Sequence, residues 1–323
     1  MRAIVQDRYG PPETLRVTSM ASPKPRDNEV LVQVKAAGVD PGVWHVVTGL
    51  PYGVRLGFGL RRPRNPIPGL DLAGVVTAVG RNVTNFLPGD SVFGTGRGSF
   101  ADSAVADAGK LAPLPPSLTF EEAAAVPISG QTALAALRKA GDVGGRRGMV
   151  IGAGGGVGTF AVQIAKAQGA HVTGVCSTSK LDYVRSLGAD SVIDYTRSNP
   201  VTATDPFDVV IDTAGNRPLS HLRRALTASG VLIVVGGEAS GGKLLQGFDR
   251  QLRALLWSPL IRQRLVPLVA TQNSADLQTL AGLIDAGSVK PVVDRAFPLH
   301  EVAAALEHIS GGHARAKTVI RLA

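Results

Sequence analysis

The chain has 323 residues, of which 44% are hydrophobic and 5% are aromatic, so it can form two domains with packed cores and is not a disordered protein. Its formal net charge of +9 permits an anionic partner, but the scarcity of aromatic residues disfavours single-stranded nucleic acid. No apolar run is long enough to cross a bilayer. An N-terminus without a signal-peptide pattern and a single cysteine, Cys176, predict a cytoplasmic protein without an internal disulfide.

The first part of the sequence contains short apolar segments separated by glycine and proline. These segments predict strands at Ala3–Val5, Val30–Ala36, Val75–Gly80, Ser91–Gly94 and Phe100–Val105. Several short strands at close spacing are typical of a partly closed β-barrel.

A loop over residues 49–68 is rich in glycine, proline and arginine. Long loops without regular structure often act as lids over functional sites, and we expect this one to shape an apolar substrate site. Its residues Arg61, Arg62 and Arg64 are interpreted as solvated surface, with an anion contact as the alternative. Most residues of a looser basic group, Arg250, Arg253, Arg262 and Arg264, are likewise interpreted as solvated surface.

Two helices are predicted after the β-rich segment. Thr119 precedes the first helix and has Glu122 three residues later, which is the spacing of a capping box. An alanine-rich helix then follows over Gln131–Ala140.

A strand, a glycine-rich turn and a helix are predicted within Arg147–Ala170. Met149–Ile151 is an apolar run typical of a strand buried on both faces, and apolar residues from Val157 onward recur at helical spacing. The turn between them contains Gly152, Gly154, Gly155, Gly156 and Gly158. Because glycine has no Cβ atom, a pyrophosphate can approach this backbone, and the start of the helix offers unpaired N–H groups. The flanking strand and helix favour a dinucleotide-binding site over a flexible loop.

The residues after the next predicted strand, His171–Cys176, decide which dinucleotide is bound. NAD-selective proteins usually place an acidic residue there to bind the ribose 2′-hydroxyl. This sequence has Ser177, Thr178, Ser179 and Lys180 instead, and hydroxyls with an ammonium can bind a 2′-phosphate. We therefore predict NADPH as the cofactor. The alternative for Lys180 is an ordinary lysine in the first turn of a helix.

Two further strands are predicted at Asp208–Asp212 and Gly230–Gly236, with a helix between them. Ligands bind at the carboxyl ends of parallel strands. We therefore expect Ala214, after the first strand, and Gly236 and Gly237, at the end of the second, to contact the cofactor.

The remaining sequence predicts an edge strand, a helix and two strands that return to the first domain. An apolar edge needs cover, so the strand at Leu265–Ala270 indicates a homodimer. The helix is predicted over Ser274–Ala286 with Ser274 as its cap, and the returning strands over Val289–Val293 and Lys317–Leu322.

Seven stretches of the chain, in order, resemble the medium-chain dehydrogenase/reductase superfamily in its zinc-free quinone oxidoreductase branch. They are AAGVDPGVWHVVTG (36–49), PGLDLAGVVTAVG (68–80), LPGDSVFG (87–94), AAAVPISGQTALAAL (123–137), GAGGGVGTFAVQIAKAQGA (152–170), LGADSVIDY (187–195) and GHARAKTVI (312–320). Together they extend over nearly the whole chain and are far more specific than one glycine motif.

The resemblance implies an α/β protein with a Rossmann-type doubly wound parallel sheet and a discontinuous GroES-like, partly open β-barrel domain. It implies a GroES-like catalytic domain over 1–122 and 288–323 and a Rossmann NADP-binding domain over 123–287. The family also implies that Thr132 reaches the nicotinamide and that the region of Val269 borders it. Tyr195 is implied to lie against the 2′-phosphate.

A metal is not expected. The zinc enzymes that this chain resembles carry a cysteine near position 40 and a histidine near position 70, where this sequence has Asp40 and Leu70. The cysteine cluster of a structural zinc site is absent, and the histidines form no short ligand pair.

The family implies hydride transfer from NADPH to a quinone or to the β-carbon of an enone, with a small hydrophobic carbonyl compound as substrate. Candidate catalytic residues are Tyr52, a possible donor to the developing enolate, and Asp40, which alternatively stabilises the local structure. The open alternatives are a nucleotide-binding protein with little turnover, an enoyl-thioester reductase and, less favoured, a zinc-dependent alcohol dehydrogenase.

Overall fold

The structure is a computed structural model that describes residues 1–202, 205–236, 248–312 and 314–322. Within these ranges, no helix has both the length and the apolar content needed to span a membrane.

The described residues contain strands and helices throughout the chain. The strands are β1 (Arg2–Val5), β2 (Arg16–Ser19), β3 (Glu29–Val39), β4 (Asp71–Val79), β5 (Ser91–Thr95), β6 (Ser103–Asp107), β7 (Leu111–Pro113), β8 (Arg147–Ile151), β9 (His171–Cys176), β10 (Ser191–Asp194), β11 (Phe207–Asp212), β12 (Leu226–Val234), β13 (Arg264–Pro267), β14 (Val293–Pro298) and β15 (Lys317–Arg321). The helices are α1 (Pro41–Thr48), α2 (Val54–Phe58), α3 (Phe120–Ala124), α4 (Pro127–Ala140), α5 (Gly156–Ala167), α6 (Leu181–Ser186), α7 (Leu219–Arg224), α8 (Phe248–Trp257), α9 (Ser274–Asp285) and α10 (Val302–Ser310).

The chain divides into two compact units, which we call unit 1 and unit 2. Unit 1 consists of Met1–Gln131, Gln272–Gly287 and Pro291–Ala323, and unit 2 consists of Thr132–Thr271 and Ser288–Lys290. Helix α4 begins in unit 1 and continues into unit 2.

Unit 2 is built on a six-stranded sheet with the order β10-β9-β8-β11-β12-β13. All neighbouring strands are parallel. Helices α5, α6, α7 and α8 lie in the connections from β8 to β9, β9 to β10, β11 to β12 and β12 to β13, as parallel pairing requires. Met149, Val150 and Ile151 on β8 are all buried, as expected for a strand covered on both faces. This is the predicted Rossmann-type sheet.

Unit 1 contains a seven-stranded, mainly antiparallel sheet in which β3 pairs with β15, β4 and β6. Alternating residues Val30, Val32 and Val34 of β3 are buried in its core. The first and last strands of the unit lie far apart in sequence, so the unit is discontinuous, as the resemblance implies. Together the two units confirm the predicted α/β fold class.

The compact units differ from the predicted domain boundaries at residues 123–131, 272–287 and 288–290. Helix α9 belongs to unit 1, where Leu277 and Leu280 are fully buried. Gly130 of α4 explains part of this packing, because a Cβ on it would lie 2.9 Å from a methyl carbon of Leu280. The predicted boundaries followed chain order, whereas α9 packs on elements distant in sequence.

The capping box before α3 is confirmed, since the Thr119 hydroxyl accepts from the backbone N–H of Glu122 and the Glu122 carboxylate accepts from the N–H of Thr119. The cap predicted for α9 was wrong by one residue. Asn273 is the N-cap, and its side-chain oxygen accepts from the N–H of Asp276 at 2.9 Å.

Two other local predictions were also wrong. A strand was expected over Val289–Val293, but β14 begins only at Val293. Pro291 has no backbone N–H to donate to a neighbouring strand, so the residues around it do not form a strand. The loop over 49–68 contains a short helix, α2, which begins after Gly53.

Candidate functional site

The glycine-rich turn connects the carboxyl end of β8 to the start of α5, as predicted. Gly155 is the N-cap residue, and no side chain caps the helix. A Cβ on Gly158 would lie 2.1 Å from the carbonyl oxygen of Gly152, so only glycine lets the first turn of α5 lie so close to the turn. The N–H groups at this end of α5, which include Gly156 and Val157, are therefore available to an anion.

The structure places Lys180 against the glycine-rich turn. A Cβ on Gly154 would lie 2.8 Å from Cδ of Lys180 and 3.3 Å from its Cβ. Lys180 ends a short 3₁₀ turn over Thr178–Lys180 that follows Ser177 at the end of β9. The predicted phosphate-binding residues Ser177 and Lys180 therefore lie beside the turn that is predicted to bind the pyrophosphate.

Tyr195 follows β10 at the same edge of the sheet. Its backbone N–H donates to the carbonyl of Cys176 at 3.1 Å, and its side chain is 45% exposed. The neighbouring carboxylate of Asp194 accepts hydrogen bonds from the Thr178 hydroxyl at 2.5 Å and the Thr196 N–H at 2.9 Å. These bonds, led by the one from Thr178, lower the pKa of Asp194.

A buried ion pair that the sequence analysis missed joins the turns after β11 and β12. Arg250 was interpreted as surface, yet it is only 6% exposed. Its guanidinium donates to Asp212 at 2.5 Å and to the carbonyl of Gly236 at 3.1 Å. Asp212 also accepts from the N–H of Gly215 at 3.2 Å. Arg250 thus fixes both turns in which cofactor contacts are predicted.

The other predicted cofactor residues are distributed over the same unit. Ala214 is half-buried in the turn after β11, and Thr132 is half-buried on α4. Val269 follows the edge strand β13 and is 82% exposed. Gly237 lies outside the described residues.

Asp40 lies in a buried cluster of charged residues in unit 1. The Lys317 ammonium donates to Asp40 and, at 3.3 Å, to Asp71. The three side chains are almost completely buried, and Asp40 Oδ2 has no hydrogen-bond partner among the described residues. We call Asp40, Asp71 and Lys317 the charged cluster.

The charged cluster also binds the first turn of α4. The N–H of Ile128 donates to Asp71 at 3.1 Å, and the Ser129 hydroxyl donates to Asp40 at 3.4 Å. A carboxylate at a helix N-terminus is favourable because it accepts from unpaired N–H groups and faces the positive end of the helix dipole. The cluster therefore fixes the start of α4, the helix that carries Thr132.

The cluster strongly alters the ionisation of two of its members. Burial and then the charge of Asp40 raise the pKa of Asp71 well above its ordinary value, against the opposing effect of Lys317. Burial acts to lower the pKa of Lys317, but the charges of Asp40 and Asp71 outweigh it, and that pKa is raised. Lys317 is therefore the permanent cation of the cluster, and Asp71 holds a proton more readily than an ordinary aspartate does.

Tyr52 is 44% exposed and lies outside the charged cluster. Its ring packs against the Arg55 guanidinium, with the guanidinium carbon 4.7 Å from the ring centroid, and Tyr9 packs on the same guanidinium at the same distance. The two predicted catalytic residues therefore differ in their surroundings, because Asp40 lies in a buried ion network and Tyr52 is accessible.

Within the described part of the chain, no group of three or more histidine, cysteine, aspartate or glutamate side chains could hold a metal ion. At the two positions where relatives carry zinc ligands, Asp40 is bound to Lys317 and Leu70 has no ligand atom. The absence of a metal remains a prediction.

A parallel sheet with a glycine-rich turn, together with a discontinuous antiparallel unit, is typical of dinucleotide-dependent oxidoreductases. The family model of the alcohol dehydrogenase GroES-like domain matches residues 26–116, and that of zinc-binding dehydrogenase matches 187–320. The mitochondrial NAD(P)H oxidoreductase RTN4IP1 of Mus musculus is 34% identical, and the match covers 100% of this chain and 89% of the relative. The chain belongs to the medium-chain dehydrogenase/reductase superfamily, in its quinone oxidoreductase branch.

Two further proteins show similarity over nearly the whole chain. The 2-methylene-furan-3-one reductase of Solanum lycopersicum is 31% identical, with 99% of this chain and 79% of the relative covered. The solved quinone oxidoreductase of Coxiella burnetii has a TM-score of 0.89 and 26% identity, with 100% of this chain and 99% of that chain covered. The chain is thus an oxidoreductase with a nicotinamide cofactor. The mouse relative is mitochondrial by name, and the predicted cytoplasmic location is untested.

Proposed function

We propose that the protein is an NADPH-dependent, zinc-independent reductase of quinones or α,β-unsaturated carbonyl compounds. The observation that carries the choice of NADPH is the position of Lys180 against Gly154. Lys180 lies three residues after Ser177, and the segment from Ser177 to Lys180 contains no carboxylate. An ammonium beside the glycine-rich turn favours a cofactor with an additional phosphate.

The residues present fit this cofactor. Gly154, Gly155, Gly156 and Val157 offer a backbone without obstructing side chains and the N–H groups of a helix start to the pyrophosphate. Ser177, Lys180 and Tyr195 would bind the 2′-phosphate. Thr132, Ala214, Gly236, Gly237 and Val269 are assigned to the remainder of the cofactor. When bound, NADPH supplies the hydride.

The catalytic roles that we propose differ for the two candidates. Tyr52 is accessible and carries a phenol, so it can donate a hydrogen bond to the oxygen on which negative charge develops. Asp40 is almost completely buried and accepts hydrogen bonds from Lys317 and Ser129, so its contacts are with other protein groups. We therefore assign Asp40 a positioning role through α4 and no direct role in proton transfer.

The proposed substrate class rests on the quinone oxidoreductase and the 2-methylene-furan-3-one reductase that the chain resembles. Exposed apolar residues in and around the loop over 49–68 agree with a small hydrophobic carbonyl or quinone substrate. They are Leu56 (73% exposed), Leu60 (66%) and Phe58 (43%).

We propose a homodimer formed through β13 and α8. β13 is an edge strand of the six-stranded sheet, and α8 with the following turn exposes Leu252, Leu255, Leu256 and Leu260, each by more than 60%. Clustered exposed leucines next to a sheet edge are typical of an interface.

Oxidation of NADPH at 340 nm, measured against a panel of quinones, enones and enoyl thioesters after dialysis against a chelator, tests the function. We expect turnover with at least one quinone or enone, unchanged by chelation. NADPH binding without turnover would favour the alternative of a binding protein, and turnover only with thioesters would favour an enoyl reductase. Activity lost on chelation and restored by zinc would refute zinc independence.

A further inference from the structure

Arg217 lies in the turn after β11 and packs over the ring of Tyr195. The guanidinium carbon is 5.9 Å from the ring centroid, and Nη1 donates to the side-chain oxygen of Asn216 at 3.3 Å. Among the described residues, Arg217 forms no ion pair with a carboxylate. In the part of the chain that the structure describes, the half-buried guanidinium is thus held in place by neutral groups.

The sheet order shows what lies beneath this contact. Tyr195 follows β10 and Arg217 follows β11, and the order β10-β9-β8-β11 places β9 and β8 between them. Neighbouring strands are about 4.8 Å apart, so the two strand ends are separated by about 14 Å. The contact between Arg217 and Tyr195 therefore crosses the carboxyl edge of β9 and β8, where Ser177 and the glycine-rich turn lie.

We propose that Arg217 is a second cation for the 2′-phosphate of NADPH and a determinant of the preference for NADPH over NADH. This inference rests on the proposed function. A phosphate monoester carries a charge of about −1.5 to −2 near neutral pH, which Lys180 alone does not balance. A guanidinium binds phosphate oxygens through two parallel N–H groups, and the contact with the Tyr195 ring positions the Arg217 guanidinium beside a residue assigned to that phosphate.

Sequence reasoning did not identify Arg217 because it is distant from the segment after β9 that normally sets cofactor selectivity. Asp194 is the residue before Tyr195, and both oxygens of its carboxylate accept hydrogen bonds, from Thr178 and Thr196. It is therefore directed toward protein donors instead of toward Arg217.

The test compares the dissociation constants of NADPH and NADH for the wild-type protein and three variants by fluorescence titration at fixed ionic strength. Arg217→Gln removes the cation and Arg217→Lys retains it. Arg223→Gln is the matched control, because Arg223 also packs over an aromatic ring, that of Trp257, at 6.0 Å, and it is not assigned to the cofactor.

We expect Arg217→Gln to weaken NADPH binding about tenfold or more, as expected for the loss of a charged hydrogen bond, and to leave NADH binding within about twofold. Arg217→Lys should recover part of the loss, and Arg223→Gln should not change the ratio of the two constants. Equal weakening of both cofactors, or of neither, would overturn the role of Arg217 alone. A wild-type protein without a preference for NADPH would overturn the proposed cofactor as well.

Discussion

Replacing Lys317 by methionine should strongly destabilise unit 1. The ammonium is the only cation of the charged cluster, and both carboxylates that it binds are buried. Removing one partner of a buried ion pair typically costs about 3–5 kcal/mol, because the remaining charge is uncompensated. Since the whole stability of a protein is about 5–15 kcal/mol, this substitution should remove a large part of it.

The destabilisation by Lys317→Met should increase with pH. A carboxyl group with a raised folded-state pKa, such as Asp71, contributes stability below its unfolded pKa and loses it as pH rises through the folded pKa. The charge of Lys317 lowers the pKa of Asp71 and so opposes the effect of burial. Without Lys317 the folded-state pKa of Asp71 should be higher, and the free energy of unfolding should fall over a wider pH range. At low pH a carboxyl proton replaces the missing cation, and the variant should approach the wild-type protein.

Urea unfolding at pH 5 and pH 8, followed by circular dichroism, measures both effects. Two controls complete the design. Adding Asp40→Asn and Asp71→Asn to Lys317→Met should remove the pH-dependent part of the loss, and Asp294→Asn should show how much a half-buried pair with His308 contributes. A Lys317→Met protein within about 1 kcal/mol of wild type at both pH values would refute the reasoning, because that cost is typical of an exposed pair.

Three further outcomes are expected. Gly158→Ala should abolish cofactor binding and lower the unfolding temperature, because its Cβ would overlap the Gly152 carbonyl oxygen at 2.1 Å. Isothermal titration measures the binding and a melting curve measures the unfolding temperature. Normal cofactor affinity would contradict the assignment of the turn. Lys180→Met should raise the KM for NADPH by about tenfold but not that for NADH, in line with the loss of a charged hydrogen bond; parallel changes would count against a phosphate contact. Arg250→Met should cost about 3–5 kcal/mol by leaving Asp212 buried without its cation, and a change in urea midpoint typical of a surface substitution would disprove that estimate.

The sequence predicted those features that depend on neighbouring residues. The glycine-rich turn, the buried β8 and the capping box at Thr119 each follow from residues within a few positions of one another, and the structure contains all three. Lys180, which the sequence predicts to bind the 2′-phosphate, lies beside the glycine-rich turn, because parallel strands bring their carboxyl ends to one edge. Its contact with the cofactor stays a prediction.

The features that the sequence did not predict depend on contacts between distant segments. Asp40 and Lys317 are separated by 277 positions, so no local pattern indicates that they form an ion pair. Arg250 was misinterpreted for a related reason, since its partner Asp212 is 38 positions away and a lone arginine most often lies at the surface. Arg217 is recognisable only from the strand order of the folded sheet.

The position of β15 has a consequence for the order in which a nascent chain can fold. This strand pairs with β3 and carries Lys317, so unit 1 cannot complete its sheet or neutralise its carboxylates until residues 317–321 have left the ribosome. The six strands of unit 2 are synthesised before then, so its sheet can assemble while unit 1 is still unfinished. Until synthesis reaches Lys317, β3 lacks one of its neighbouring strands, and Asp40 and Asp71 lack their cation.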